Sequence, residues 1–236
     1  MASQKIQVTS LAFVHYQHPD LEKALEFLKD FGLVEVNRNS SKVYLRGYGS
    51  QPYLYVAEKS PDGEKHFVGG YYNVTDFKEL EKATKHPTAS SIEDNDGPGG
   101  GKSVRIIDPH GFVVGFVYTS STVAPAPVKR LRLELSADNP ILNTVTKKLR
   151  QGDTRRFEKA ASPVHKLGHY GIIVPKEHYE STLAWYFSTL NLAATDVIFS
   201  SETLKETTSF NHIDLGAQYT DHHVGVTRSY FPRLPD

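Results

Sequence analysis

Between Pro163 and Val174 the chain reads Pro-Val-His-Lys-Leu-Gly-His-Tyr-Gly-Ile-Ile-Val. This stretch predicts a short loop that leads into a β-strand, with His169 at the start of the strand. About fifty residues later the chain reads Tyr-Thr-Asp-His-His-Val-Gly-Val from Tyr219, which predicts a second strand that carries His223. We expect the two strands to lie side by side and to aim His169 and His223 at one metal ion.

The length and composition of the chain exclude several classes of protein. The chain has 236 residues, enough for one large domain or two smaller ones, and its net charge is zero with 27 basic and 27 acidic residues. A balanced charge argues against a nucleic-acid or anionic-membrane partner held by bulk charge. The absence of cysteine excludes disulfides, zinc-thiolate sites and a cysteine nucleophile. With no apolar leader or membrane-spanning run, a cytoplasmic location is expected.

The first half predicts a strand, a helix and three strands. Apolar residues at helical spacing follow Asp20, a plausible N-cap, and Gly32 ends the helix. The predicted elements are a strand over 10–16, a helix over 21–31, and strands over 33–36, 42–46 and 52–57. A second unit of the same kind follows, with a strand over 66–74, a helix over 76–84, a glycine-rich hairpin loop over 97–101, and strands over 103–107 and 112–118.

Residues 119–165 differ in composition and predict an interdomain crossover, with a short basic helix over 143–150. The predicted domains are therefore 1–119, a linker over 120–165, and 166–236. The last of these repeats the pattern once, with a helix over 179–190 and strands over 193–200, 208–215 and 218–226. The segment 183–192 aligns with 24–33 at an offset of 159, which places His169 on Ser10.

This β-α-β-β-β unit, used twice per domain with metal ligands at strand starts, resembles the vicinal-oxygen-chelate superfamily of glyoxalase I, bleomycin-resistance proteins and extradiol dioxygenases. The stretch from Pro163 to Gly171 is similar to the start of the catalytic domain of two-domain catechol-type dioxygenases. Asp221-His222-His223 is similar to their second ligand strand. Asp108-Pro109-His110-Gly111 matches the turn that precedes the last strand of a unit. The resemblance implies an α+β fold of paired βαβββ modules in open mixed sheets, with two domains, the second incomplete.

The resemblance also implies a site. In this family two histidines and one glutamate hold Fe(II), and the histidines map to His169 and His223. Mn(II), or no metal, is the alternative. The implied partners are a small catechol-like aromatic substrate and O2. The family's catalytic histidine maps near Thr208, so His212 is the nearest substitute.

Two departures from the family pattern matter. In the first domain Ser10 and Gly115 stand at the ligand positions, so that domain is expected to be metal-free. In the second, no glutamate follows Glu206 and 13 residues follow His223, whereas the corresponding span from Tyr53 to Gly115 is 62 residues. The sequence therefore predicts that the last unit and its carboxylate are missing. It also predicts an exposed edge strand at 218–226 that favours a homo-oligomer.

Several of these residues also fit ordinary structural roles. His169 alone fits a hydrogen-bonded histidine at a strand edge, and His222 is expected on the opposite face from His223. Asp214 and Asp221 fit either exposed turn residues or hydrogen-bond partners of a ligand histidine. Five histidines of the first domain are expected in turns or at the surface, namely His15, His18, His66, His86 and His110.

The function that the sequence favours is extradiol ring cleavage of a catechol-like aromatic by non-haem Fe(II), impaired unless a water, an aspartate or another chain supplies the third ligand. The alternatives are a non-catalytic binding or scaffold protein with this fold, and a glyoxalase-like isomerase, which also needs a carboxylate.

Overall fold

A computed structural model describes residues 5–119, 161–162, 164–216 and 222–229. Within these ranges the protein has a mixed α+β fold with three α-helices and two sheets. The first sheet contains β1 (Val8–His18), β2 (Val34–Arg38), β3 (Lys42–Arg46), β4 (Tyr55–Lys59), β5 (His66–Val74), β6 (Glu93–Asp94), β7 (Lys102–Ile107) and β8 (Val113–Tyr118). The second contains β9 (Tyr170–Pro175), β10 (Leu192–Phe199), β11 (Glu206–Ile213) and β12 (His222–Ser229). The helices are α1 (Leu21–Asp30), α2 (Phe77–Ala83) and α3 (Tyr179–Thr189).

Helix boundaries follow the signals in the sequence. The Asp20 side chain accepts a hydrogen bond from the Lys23 backbone N–H at 3.0 Å and so caps α1. Gly32, with φ of +108°, stops the same helix in a conformation that glycine adopts without strain. Asp76 caps α2 through the Lys78 backbone N–H at 2.8 Å. The glycine-rich loop joins β6 to β7, which confirms the predicted hairpin.

The described residues contain one unit three times: a strand, a helix, then three strands. In each unit the first and last strands pair in parallel, namely β1 with β4, β5 with β8, and β9 with β12. Two units share the first sheet because β1 pairs antiparallel with β5. The strand order there is β2-β3-β4-β1-β5-β8-β7-β6, whereas the third unit forms the order β10-β11-β12-β9.

The prediction that the strand over 218–226 lies at an exposed edge of its sheet was wrong. β12 lies inside its sheet, paired with β11 on one side and β9 on the other. The reason is the unit itself, since its last strand closes onto its first. The edges of the second sheet are β9 and β10. The predicted basic helix over 143–150 and most of the predicted linker lie outside the described residues, and the proposed domain boundaries stay a prediction.

One hydrophobic core joins the two sheets. It includes Val14 and Phe116 from the first sheet together with Ile172, Val224 and Tyr186 from the third unit. The buried Asn191 strengthens this junction, because its amide accepts from the Val8 N–H at 2.8 Å and donates to the Val8 carbonyl at 3.1 Å. Burial of this apolar surface holds the third unit against the first two.

Candidate metal centre

The two strands that carry the predicted ligands are neighbours. Tyr170 of β9 and Val224 of β12 are partners in a parallel register, and His169 and His223 each precede one member of that pair by one residue. The expectation that these strands lie side by side is confirmed. It brings the two backbone positions together, although the side chains of His222 and His223 lie outside the described residues.

The two faces of this sheet differ. Tyr170, Ile172 and Val224 are buried against the core that contains α3. Next to Ile172 on β9, Ile173 is 71% exposed on the opposite face, and Gly171 is exposed as well. We call this second surface the free face of the four-stranded sheet.

Glycines leave room on the free face. Gly171 and Gly225 are partners in the β9–β12 register, two residues beyond the histidine positions. A Cβ atom built on Gly225 would lie 3.8 Å from the Gly171 Cα and 3.9 Å from the Phe210 ring, so the Phe210 side chain lies on the same face. The result is a flat floor with one aromatic wall beside the histidine positions.

His169 lies at the start of β9 and is exposed. The loop that leads to it is held by the first sheet: the Tyr48 N–H donates to the Val164 carbonyl at 2.8 Å, and the Leu167 N–H donates to the Gln51 side chain at 3.0 Å. The ring of His165 stacks on Tyr48 at 4.8 Å between centroids. These contacts fix the direction from which the chain reaches His169.

His212 lies on β11, the strand on the other side of β12. Its backbone is the register partner of His222, and its Nδ1 atom is 2.7 Å from the Thr195 hydroxyl. The contact with Thr195 fixes the orientation of the His212 ring. At Thr208, where the family's catalytic histidine maps, the hydroxyl instead pairs with Thr227 at 3.3 Å.

The structure places the backbones of the two predicted ligands, His169 and His223, on adjacent strands. Among the side chains that the structure describes, no group of three or more histidine and carboxylate residues is placed to hold a metal. The Asp214 carboxylate is used locally, accepting from the Gly216 N–H at 2.9 Å, and Asp221 lies outside the described residues.

The corresponding positions of the first sheet are filled. Gly115 is the register partner of Tyr71, and a Cβ atom at position 115 would fall 2.0 Å from the Tyr71 ring. That ring stacks on Phe13 at 4.2 Å between centroids. Burial raises the pKa of Tyr71 to about 12, so its hydroxyl stays neutral. Ser10, the counterpart of His169, accepts a hydrogen bond from the Asn73 amide at 2.9 Å.

Sequence reasoning missed two buried polar groups. His15 was predicted at the surface and is instead buried, with Nε2 3.0 Å from the Glu58 carboxylate. The prediction was wrong because His15 lies on the same face of β1 as the buried Phe13, two residues earlier, and that two-residue period was the signal that could have found it. Burial lowers the pKa of His15, and the Glu58 charge opposes that shift.

The second missed group is a set of tyrosines between the sheets. The Tyr72 and Tyr170 hydroxyls are 2.9 Å apart, and the Tyr186 hydroxyl donates to Asp108 Oδ2 at 3.0 Å. Burial raises the pKa of all three hydroxyls, so they stay protonated. The predicted turn at Asp108 is confirmed, because Oδ1 of Asp108 accepts from the His110 and Phe112 backbone N–H groups at 2.8 and 2.9 Å.

The three described βαβββ units, with their parallel first and last strands, give this chain a fold shared with several solved structures. Solved structures with the same architecture include homoprotocatechuate 2,3-dioxygenase from Brevibacterium fuscum, as an anaerobic complex with 3,4-dihydroxyphenylacetate. That comparison has a TM-score of 0.69, 18% identity, and covers 99% of this chain and 64% of that one. The enzyme of the same name from Arthrobacter globiformis gives a TM-score of 0.68 and 19% identity, covering 99% and 63%. A Mn(II)-bound glyoxalase from Novosphingobium aromaticivorans gives 0.65 and 14%, covering 94% and 62%.

This chain spans less than two thirds of the length of each of these structures. No protein-family model matches it, and no curated protein matches its sequence. The likeness therefore shows the fold. None of the helices in the described ranges is long and apolar enough to span a membrane.

Proposed function

We propose that this protein is an extradiol-type dioxygenase that cleaves the ring of a catechol-like aromatic, with a divalent metal held by His169 and His223. The observation that carries the proposal is the parallel register, in which both histidines directly precede the Tyr170–Val224 pair. Two imidazoles from adjacent strand starts are the arrangement that a two-histidine metal centre needs. Fe(II) is the metal we favour, with Mn(II) as the alternative.

A bound metal would supply positive charge for the two catechol oxygens and open coordination positions for O2. The residues of this chain would bind the substrate and move its proton. Gly171 and Gly225 provide a flat surface on which an aromatic ring can lie, and Phe210 borders it. We assign to His212, whose ring is oriented by the Thr195 hydroxyl at 2.7 Å from Nδ1, the exchange of a proton with the substrate hydroxyl through Nε2.

The test is an anaerobic titration of the full chain with Fe(II), followed by O2 uptake with catechol. We expect His169→Ala and His223→Ala each to weaken Fe(II) binding by at least tenfold. His66→Ala is the matched control, because His66 is exposed on the first sheet and pairs with Asp62 at 2.9 Å. Equal Fe(II) affinity in all four proteins would refute the metal centre.

A second candidate function is a non-catalytic protein that captures an aromatic metabolite on the same free face. It is favoured because the described side chains include no group of three or more histidine and carboxylate residues placed to hold a metal. Iron binding without O2 uptake would support this candidate. A glyoxalase-like isomerase would need the same missing carboxylate, and the Mn(II)-bound neighbour is its main support.

The proposal includes a homo-oligomer in the cytoplasm. Apolar residues exposed in the third unit, such as Ile173 and Phe199, are the surfaces on which copies could associate. Light scattering on the purified chain tests the oligomer, and cell fractionation tests the location.

A further inference from the structure

A cleft of about 1010 Å³ lies beside α1 and extends to His169 and Gly171, where it borders the free face described above. We call it the α1 cleft. Its volume is at the upper end of the range of about 300–1,000 Å³ that small-molecule sites occupy. Its apolar lining comes from α1, from the first sheet and from the loop before β9, for example Leu28, Leu54 and Leu167.

The outer wall of the cleft is aromatic and exposed. Phe27 and Phe31 lie one turn apart on α1, are 68% and 51% exposed, and stack with their centroids 6.2 Å apart. The residues of α1 that pack into the hydrophobic core are Leu25 and Leu28, which are buried. Two exposed phenylalanines beside a large cleft form an elongated apolar surface that is available to a ligand.

The charges at the cleft are mainly positive. Lys23, Lys65 and Lys166 line it, and the carboxylate of Asp20 is the one acidic group among its described lining residues. That carboxylate already caps α1 through the Lys23 backbone N–H. The lining therefore complements a ligand with a negative head and a hydrocarbon body.

His18 adds a neutral polar group to this wall. Its Nε2 atom is 3.0 Å from the Tyr55 hydroxyl, and burial, followed by the charge of Lys65, lowers its pKa. Because His18 is mainly uncharged at pH 7, attraction for an anion comes from the lysines.

We propose that the α1 cleft binds a carboxylate with an extended hydrocarbon body, with the chain along Phe27 and Phe31 and the head beside Lys23 and Lys65. The ammonium groups give selectivity for the anion, while burial of methylene groups gives most of the affinity. Binding of this ligand needs no metal, and the lysines and phenylalanines that hold it are not among the proposed metal ligands. Because His169 also lines the cleft, the test is done with a chelator present.

The experiment measures binding of decanoate and of decanol to the full chain by equilibrium dialysis with EDTA. These probes share the same ten-carbon body and differ in charge. We expect saturable one-to-one binding of decanoate, at least threefold tighter than decanol. Added salt should weaken decanoate binding alone.

Two double variants locate the site. Lys23→Met with Lys65→Met should weaken decanoate about three- to tenfold and leave decanol unchanged, as expected for partly exposed charges. Phe27→Ser with Phe31→Ser should weaken both probes. Lys102→Met is the matched control, because Lys102 pairs with Asp94 at 2.7 Å on β7.

Three results would overturn the proposal: equal affinity for the two probes, no effect of either double variant, or no saturable binding. A dimer that excludes decanoate and dissociates when Phe27 and Phe31 are replaced would also overturn it, since the cleft would then be covered by a second copy. Loss of Fe(II) binding in the His169→Ala variant has no bearing on these outcomes, so the two proposals fail separately.

Discussion

Replacement of Tyr186 by phenylalanine should loosen the junction between the two sheets. Its hydroxyl donates to Asp108 Oδ2 at 3.0 Å, and the two residues are 2% and 4% exposed. A buried hydrogen bond to a carboxylate contributes about 1.5–3 kcal/mol, because the acceptor left behind cannot reach water. We expect Tyr186→Phe to lower the free energy of unfolding by that amount.

A second variant, Tyr72→Phe, provides a comparison for the loss of stability expected in Tyr186→Phe. Tyr72→Phe removes a hydrogen bond between two neutral hydroxyls, Tyr72 and Tyr170, at 2.9 Å. A neutral pair contributes about 0.5–1.5 kcal/mol, so this variant should lose less stability than Tyr186→Phe. Tyr118→Phe, at a half-buried position at the end of β8, is the control and should change stability by less than about 0.5 kcal/mol.

Urea unfolding followed by two probes provides the measurement. Trp185 is the sole tryptophan and packs edge-on against Tyr186 at 4.9 Å between centroids, so its emission reports the third unit. Far-ultraviolet circular dichroism reports the whole chain. Because one core joins the sheets, the two transitions should coincide. The reasoning is refuted if Tyr186→Phe costs no more than Tyr72→Phe, or if adding Asp108→Asn shows no coupling between the two positions.

Three further variants test separate parts of the structure. Gly115→Ala should destabilise the protein by about 1–3 kcal/mol, because the new methyl group meets the Tyr71 ring. When Tyr71→Ala is added, the double variant should lose less stability from the change at position 115, as measured by urea unfolding. Burial lowers the pKa of His15 below 6.5, so the unfolded chain binds the proton more tightly than the folded one. The stability of the protein should therefore fall as the pH falls below about 6.5. His15→Gln should flatten this dependence in thermal melts recorded between about pH 5.5 and 7.5. Ile172→Ala should cost about 2–5 kcal/mol, whereas Ile173→Thr should cost less than about 0.5 kcal/mol; equal losses would contradict the assignment of the free face.

The elements of the fold were predictable because their signals are local. Helical spacing after Asp20 predicted α1 within one residue, and the strand expected over 66–74 is β5 as observed. The resemblance in the third unit placed β9 beside β12, since the pairing of first and last strands belongs to the unit. The position of β12 inside the sheet follows from the same pairing, and the prediction of an exposed edge did not apply it.

The buried polar contacts were not predictable from local pattern. Tyr72 and Tyr170 are separated by 98 residues, and their hydroxyls meet only because the third unit packs onto the first sheet. The His15–Glu58 pair spans 43 residues and depends on the parallel register of β1 and β4. Such pairs are set by tertiary packing, which a sequence does not display.

One pair of positions decides which unit is open to a ligand. In the second unit the parallel first and last strands set Tyr71 beside Gly115, and the tyrosine ring occupies the space that the glycine leaves. In the third unit the same kind of pair sets Gly171 beside Gly225, so two missing side chains lie together, and among the described residues only the Phe210 side chain comes within 4 Å of a Cβ built there. Both units have the same backbone plan, and the difference between a packed interior and an accessible floor is one aromatic ring.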